Sequence, residues 1–318
     1  MSELNIPFNK PYMTGRELKY ISQAHAAGIL SGDGPFSRLC QKWIEDHLGT
    51  QKALLTHSCT AALEMAAILA DIQHGDEIIM PSYTFVSSAN AFVLRGGVPV
   101  FVDIHPSSLN INEMLIEDAI TSKTRAIVPV HYAGMACNMD AIMNIANRYN
   151  LIVIEDAAQG IMSTYKGQML GSIGHMGCLS FHETKNIISG EGGALLVNDD
   201  KFLLRSEVIR EKGTNRAQFN KGEVDKYTWQ DIGSSFLPGE ITAAFLFAQL
   251  EKSREITTER LAIWQRYHEA FSKLDFEWLK LPFIPDDVLN NGHIYFLRLS
   301  NLQKRDRFIE KMAEMQIN

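Results

Sequence analysis

The feature that most constrains this chain is a regular alternation of short apolar runs with helix-forming segments in its first half. Apolar runs with the length and composition of buried strands occupy residues 52–57, 76–81, 98–104, 125–132 and 151–156. Helix-forming segments lie between these runs, at residues 60–72, 87–97, 114–120 and 139–150. This alternation predicts an α/β fold in which a mixed, mostly parallel sheet is flanked by helices.

The pattern changes after residue 198. The later segments have the patterns of a helix, a polar loop, a long helical region, a strand and a last helix, at residues 201–213, 214–226, 240–274, 293–300 and 305–315. We therefore predict a large domain over residues 1–239 and a small carboxy-terminal α+β domain over residues 240–318. Residues 1 to about 20 are expected to pack on the small domain.

The composition is that of a soluble globular protein, with 46% hydrophobic and 21% charged residues among 318. A net charge of −7 and the lack of a lysine- or arginine-rich block argue against nucleic acid as the main partner. No apolar run is long enough to span a membrane, and the amino terminus has no signal-peptide core. Four widely spaced cysteines then predict free thiols, and we expect a cytoplasmic protein.

Two segments end an apolar run with polar residues. LIVIEDAAQG brings Glu155, Asp156 and Gln159 to the carboxyl edge of the predicted sheet, where open α/β sheets bind ligands. LLTHSCTAALEMAA places Ser58 and Thr60 at the start of a helix, where free backbone N–H groups and hydroxyls bind phosphate. Helix capping by these side chains is the alternative explanation of each segment considered alone.

A third segment, SFHETKNIISGEGG, contains Lys185. Most lysines are solvated surface charges, and that is the alternative for this one. However, Lys185 follows the strand-like run CLSF, and the glycines at 190, 192 and 193 allow the backbone to approach a ligand closely. A lysine in such a pocket loses its charge by desolvation and becomes a nucleophile toward a carbonyl.

Together the three segments describe one site. Pyridoxal phosphate needs a lysine to hold its aldehyde as a Schiff base, a carboxylate to keep its pyridine nitrogen protonated, and backbone donors for its phosphate. Lys185, Asp156 and the helix start near Thr60 supply these groups. Tyr83 or Phe85 in PSYTFVSSAN offers an aromatic face for the ring, and we expect Tyr83 to be a core residue instead. The sequence therefore predicts a pyridoxal 5'-phosphate site.

These motifs, with PVHYAGMACNMDAI, together resemble the DegT/DnrJ/EryC1/StrS family of sugar-nucleotide aminotransferases, which are fold type I pyridoxal-phosphate enzymes. The resemblance covers nearly the whole chain, including SGDGPFSRLCQKW and REKGTNRAQF. It implies that Lys185 is the Schiff-base lysine and proton shuttle, and that Asp156 is the partner of the pyridine nitrogen. The remaining implied positions are Gln159 beside the ring hydroxyl, Phe85 stacked on the ring, and Thr60, Ala61 and Ser180 at the phosphate, with His182 nearby in a role that the motif does not define.

The resemblance also implies a reaction. Some relatives are sugar dehydratases with histidine in place of the lysine, so Lys185 favours transamination. L-Glutamate would donate an amino group to a nucleotide-linked 4-keto-6-deoxy sugar, in the synthesis of cell-surface polysaccharide such as lipopolysaccharide or enterobacterial common antigen. Family members are homodimers with sites at the interface, so we expect a homodimer.

The sequence departs from the family at two places. Many members carry an asparagine that reaches the phosphate of the partner subunit, whereas Leu237 stands here, with Ser234 and Ser235 as neighbouring hydroxyl candidates. Members also usually continue beyond residue 318 with a His-Tyr-x-Pro-Leu-His segment, so we expect a truncated small domain.

Two alternatives remain open from the sequence. One is a non-catalytic homologue that binds the cofactor or dimerises without turnover. A nicotinamide dehydrogenase is a further alternative, although GDG at residues 32–34 lacks the strand–glycine–helix context of a dinucleotide fingerprint. A metal site is unsupported, because His175 and Cys178 have no second ligand pair.

Overall fold

The structure is a computed structural model that describes residues 5–318. Residues 1–4, which open the predicted large domain, lie outside that range. The strands of the main sheet are β1 (Lys52–Thr56), β2 (Glu77–Pro81), β3 (Val98–Val102), β4 (Thr124–Ile127), β5 (Ile152–Asp156), β8 (Met176–Ser180) and β9 (Gly193–Val197). The minor strands are β6 (Thr164–Tyr165), β7 (Gln168–Met169), β10 (Leu279–Lys280), β11 (Val288–Leu289) and β12 (Arg298–Leu299).

The α-helices surround this sheet and form most of the later chain. They are α1 (Glu17–Ala27), α2 (Pro35–Leu48), α3 (Cys59–Leu69), α4 (Ser87–Val93), α5 (Met139–Tyr149), α6 (Leu203–Arg210), α7 (Arg216–Asn220), α8 (Glu240–Leu250), α9 (Ser253–Phe271) and α10 (Leu302–Glu314). Within the described residues, the main sheet has seven strands in the order β1-β9-β8-β5-β4-β2-β3. Only β9 runs antiparallel to its neighbours, so the prediction of a mixed, mostly parallel sheet flanked by helices is confirmed.

Each face of the sheet carries its own hydrophobic core. Strand residues alternate between the two faces, so that Val153 of β5 joins one cluster with α2, α5 and α8 while Ile154 joins the other with α3 and α4. Helix α3 is alanine-rich and almost entirely buried, and Ser58 caps its first turn by accepting the N–H of Ala61. The two cores hold the carboxyl ends of the strands rigidly along one edge.

Two of the predicted helices were wrong. Residues 114–120 do not form an α-helix but two short 3₁₀ turns, Glu113–Leu115 and Glu117–Ala119, because so short a segment gains few bonds for the cost of helix nucleation. The predicted long helix over residues 240–274 is two helices, α8 and α9, interrupted at Glu251 and Lys252.

The alternating run over residues 293–300 becomes a strand only at Arg298–Leu299. Side chains of helix α9 hydrogen-bond the backbone carbonyls that would otherwise pair with a neighbouring strand. Arg260 donates to the carbonyl of His293, and Trp264 donates to that of Ile294. The ring of Tyr295 packs on Trp264 with centroids 5.1 Å apart. The segment is therefore fixed by side chains of a helix rather than by a sheet.

The ends of the described chain meet. Ile6 forms a parallel bridge with Ile317, and the N–H of Ile6 donates to the carbonyl of Gln316. Helix α8, at the start of the predicted small domain, packs against α1 and α2. The domain boundary at residue 240 stays a prediction. Among residues 5–318, no helix combines the length and apolar character needed to cross a bilayer.

Candidate active site

One edge of the sheet collects the predicted site residues. The turns that leave β1, β2, β5 and β8 carry, respectively, the first turn of α3, the segment 82–88, Asp156 and the segment 181–192. Parallel strands place their carboxyl ends at the same edge, and here those turns converge. Ser180 and Thr56, the last residues of β8 and β1, both pair with Gly193 at the start of β9.

Asp156 is the last residue of β5 and only 5% exposed. Its Oδ2 accepts a hydrogen bond of 2.6 Å from the hydroxyl of Ser88, and its Oδ1 accepts the N–H of Ala158 at 3.1 Å. Hydrogen bonds of this kind fix the orientation of the carboxylate. Asp156 is therefore set as an acceptor at the sheet edge.

Glu155, the preceding residue, faces the opposite way and is fully buried. Its carboxylate accepts the backbone N–H groups of Gly171, Ile173 and Gly174 at 2.6–2.8 Å, and it contacts Nε2 of His131 at 2.8 Å. Because Nδ1 of His131 accepts the N–H of Cys137, the imidazole donates from Nε2. Glu155 thus has a structural role, although the sequence brings it to the same strand end as Asp156.

Lys185 lies in the turn after β8, where its N–H donates to the carbonyl of His182. Burial lowers the pKa of its amine, and the nearby Cys59 and Asp156 offset only part of that shift. Within residues 5–318 the amine has no hydrogen bond or ion pair. A half-buried, unpaired amine with a depressed pKa is suited to nucleophilic attack on a carbonyl.

The first turn of α3 lies beside Lys185 and has the features of a phosphate site. The hydroxyl of Thr60 is 2.7 Å from that of Ser87, so two hydroxyls meet at the helix start. The N–H of Ala61 is used by the Ser58 cap at 3.0 Å, and a phosphate would have to share it. Ser180 is buried, and its hydroxyl accepts the N–H of His182 at 3.4 Å. The helix dipole adds to the attraction for an anion.

Gly193 explains how β9 fits against this turn. A Cβ at this position would lie 2.4 Å from the carbonyl carbon of Ser58 and 2.5 Å from the amide nitrogen of Cys59. The predicted close approach therefore exists, but it is to the protein's own backbone at the start of α3 rather than to a ligand.

The two aromatic candidates are both on the surface. Phe85 is 74% exposed, which leaves its ring face available at the site edge. Tyr83 is 43% exposed and its hydroxyl donates to that of Tyr132 at 3.1 Å, so the prediction of a core Tyr83 was wrong. Aromatic residues are often buried, but the segment 82–86 is a loop that leaves the sheet edge.

Gln159 lies in the turn after β5, and its Oε1 accepts the N–H of Ala133 at 2.6 Å. His182 contacts Thr184 through Nδ1 at 2.9 Å. The backbone of Ser234 accepts the N–H of Lys212, and Ser235 forms a bridge with Glu211. Of the predicted site residues, the structure thus brings Asp156 and Lys185 together with the first turn of α3.

Residues that the sequence did not indicate complete the site from the carboxy-terminal part. His293, which is buried, donates from Nδ1 to Oδ1 of Asn186, the neighbour of Lys185, at 2.8 Å. Asn186 in turn donates to the carbonyl of Asn291. The side chain of Asn291 donates to the carbonyls of Gln159 and Ile161, both at 2.8 Å. This network, residues 290–293 with Asn186, joins the Lys185 turn to the turn after β5.

The residues present fit pyridoxal phosphate. An unpaired amine, an ionised carboxylate and a helix start with two hydroxyls are the three groups that its aldehyde, ring nitrogen and phosphate require. Among the described residues, no cluster of three or more metal-ligating side chains occurs.

Solved structures of similar proteins have the same fold. Spr1654 of Streptococcus pneumoniae, described as a sugar aminotransferase and solved in its PLP form, matches 98% of this chain and 83% of its own with a TM-score of 0.89 and 26% identity. DesV of S. venezuelae, solved with a ketimine intermediate, matches 99% of this chain and 82% of its own with a TM-score of 0.88 and 26% identity. The fold and the site define a pyridoxal-phosphate-dependent aminotransferase of fold type I.

Sequence comparison identifies the family of this chain. The profile of the DegT/DnrJ/EryC1/StrS aminotransferase family matches residues 11–318, and this chain belongs to that family. The spore coat polysaccharide biosynthesis protein SpsC of Bacillus subtilis is 34% identical over 300 residues, which are 92% of this chain and 76% of SpsC. The chain is thus a sugar aminotransferase of this family, and the resemblance seen in its motifs is confirmed.

Proposed function

We propose that this protein transfers the amino group of L-glutamate to a nucleotide-linked 4-keto-6-deoxy sugar. The substrate we favour is dTDP-4-dehydro-6-deoxy-D-glucose, and the product is dTDP-4-amino-4,6-dideoxy-D-galactose. The observation that carries the proposal is the half-buried, unpaired amine of Lys185 beside Asp156, because sugar dehydration with a histidine at this position would not offer that nucleophile.

Each residue of the site would have its own role. When bound, pyridoxal phosphate supplies an aldehyde for an amine and a ring that takes up electrons from the substrate carbon. Lys185 would hold the aldehyde carbon and, once displaced by substrate, carry a proton between the two carbons that exchange it. Asp156 would hold a proton at the ring nitrogen, Thr60 and Ser180 would orient the phosphate, and Phe85 would cover the ring face.

The similarity to SpsC supports a pathway that ends in cell-surface polysaccharide, because that relative is described as a spore coat polysaccharide biosynthesis protein. Lipopolysaccharide and enterobacterial common antigen are the polymers we propose. We also propose a cytoplasmic homodimer, whose exposed Phe85 and Trp229 would then be covered in part by the second subunit.

The test is a two-stage absorbance assay on the purified protein loaded with pyridoxal phosphate. L-Glutamate should remove the visible band, and a keto-sugar nucleotide should restore it. A panel of 3-keto and 4-keto nucleotide sugars then identifies the acceptor, and product analysis gives the configuration of the amine. A band that glutamate leaves unchanged would favour a non-catalytic cofactor-binding homologue. Recovery with 3-keto sugars alone would overturn the 4-keto assignment.

A further inference from the structure

We propose that Ser88 and Thr84 are positioning residues for Asp156, and that their two hydroxyls form a directed hydrogen-bond chain that keeps a proton on the ring nitrogen of the cofactor. The inference rests on the pairing of Asp156 with that nitrogen in the proposed function. It adds two residues that no motif of the sequence indicated.

The direction of the chain follows from the acceptor at its end. An ionised carboxylate has no proton to donate, so the hydroxyl of Ser88 must donate to Oδ2 of Asp156, 2.6 Å away. The oxygen of Ser88 is then free to accept, and the hydroxyl of Thr84 lies 2.6 Å from it. Thr84 therefore donates to Ser88, and both hydroxyl dipoles point toward Asp156.

Burial strengthens this chain of hydrogen bonds. Ser88 is fully buried and Asp156 is 5% exposed, so little water competes for these bonds. A serine inside a helix often bonds the carbonyl one turn earlier. Here Ser88 belongs to α4, yet its hydroxyl crosses to β5 instead. The sequence thus places a donor where it acts on the catalytic carboxylate rather than on its own helix.

The chemical effect concerns one proton. The hydrogen bond donated to Oδ2 stabilises the negative charge of Asp156. The hydroxyl of Thr84 polarises that of Ser88 and strengthens the effect. A carboxylate whose charge is stabilised in this way leaves the shared proton on the ring nitrogen, which is the state in which the ring takes up electrons.

The adjacent residue provides a matched comparison. Ser87 is in the same turn of α4, but its hydroxyl lies 2.7 Å from that of Thr60 at the proposed phosphate end. Two neighbouring serines therefore serve opposite ends of the cofactor site. Removing either hydroxyl deletes one oxygen from the same turn, so a general loss of packing would affect both variants alike.

The experiment is nuclear magnetic resonance of the holoenzyme reconstituted with pyridoxal phosphate labelled with ¹⁵N in its ring. The ¹⁵N resonance reports protonation of the ring nitrogen, and the ³¹P resonance reports the phosphate surroundings. In Ser88→Ala the ¹⁵N resonance should move downfield, toward that of an unprotonated pyridine. Thr84→Val, which is nearly isosteric, should move it in the same direction by less. Ser87→Ala should shift the ³¹P resonance and leave the ¹⁵N resonance unchanged.

The outcomes separate this inference from the proposed function. A protonated nitrogen in the wild type that stays unchanged in both Ser88→Ala and Thr84→Val would overturn the hydroxyl chain alone. An unprotonated nitrogen in the wild type would overturn the Asp156 pairing and this inference with it. If Ser88→Ala does not retain the cofactor, Thr84→Val decides, because it keeps the Ser88 bond and removes only the upstream donor.

Discussion

Two adjacent carboxylates in this protein have different roles because a strand alternates its side chains. Glu155 points into the fold and binds three backbone N–H groups, while Asp156 points to the site and binds Ser88. A substitution of either residue should be harmful for a different reason. Loss of Glu155 leaves buried donors unpaired, whereas loss of Asp156 removes the proposed partner of the ring nitrogen.

Lys185→Ala should abolish turnover. The variant removes the half-buried amine that we propose as the nucleophile toward the cofactor aldehyde, and loss of a catalytic nucleophile typically lowers kcat by roughly 10³-fold or more. Transfer of amine from glutamate to a keto-sugar nucleotide is the measurement. Lys201→Ala is a suitable control, because that lysine is an exposed residue paired with Asp199. Normal activity of Lys185→Ala would contradict the assignment.

At the residue scale, the sequence predicted what depends on strand ends and missed what depends on contacts across the fold. Lys185 and Asp156 each follow an apolar run, so their place at the sheet edge could be predicted. Ser88 and His293 could not, since their partners Asp156 and Asn186 are distant in sequence. The hydroxyls at 84 and 88 are one helical turn apart, and that spacing was the available signal.

At the scale of elements, β9 is the strand that sets the shape of the phosphate turn. We expect Gly193→Ala to weaken cofactor binding and to destabilise the protein by about 1–3 kcal/mol, because the added carbon would meet the backbone of Ser58 and Cys59. Cofactor titration and urea unfolding measure the two effects.

Gly239→Ala is the matched control for this change. An added Cβ there meets its nearest neighbour, the carbonyl oxygen of Leu30, at 3.4 Å, an ordinary contact. This variant should bind the cofactor as the wild type does. Equal behaviour of the two glycine variants would show that the close packing of β9 on the α3 turn has no effect on the site.

Elements with a clear period were predicted well, and those held by side chains were not. The strands β1, β2 and β5 and the helices α3 and α5 lie within or nearly within the ranges expected from the pattern of apolar residues. Residues 293–300 alternate like a strand, but Arg260 and Trp264 occupy backbone carbonyls of residues 292–294. The local sequence pattern does not show that side chains of a distant helix will hydrogen-bond those backbone carbonyls.

At the scale of the whole molecule, the buried imidazole of His293 should make stability depend on pH. Burial, with Lys185 and Arg260 nearby, lowers its pKa from 6.5 to about 3. The unfolded chain therefore binds a proton between these values that the folded protein does not. The stability that depends on a neutral His293 is complete above pH 6.5. It is lost as the pH falls, by about 2 kcal/mol at pH 5.

His293→Asn tests this dependence, because its amide can still donate to Asn186 but does not titrate. Urea unfolding at pH 7 and pH 5 should show a smaller loss of stability in this variant than in the wild type. His74→Asn, at an exposed position, should behave as the wild type does. An identical pH dependence in His293→Asn and wild type would mean that His293 does not cause it.

The segment from Thr84 to Ser88 has a consequence for how such a chain can vary over time. Its side chains supply a donor for Asp156, a hydroxyl at the phosphate end and an exposed ring between them. Inserting or deleting one residue here would rotate the following helical positions by about 100° and misdirect all of them at once. Point substitutions can be selected one at a time, but a change of length cannot, so this turn should keep its length even in lineages whose surrounding loops expand and contract.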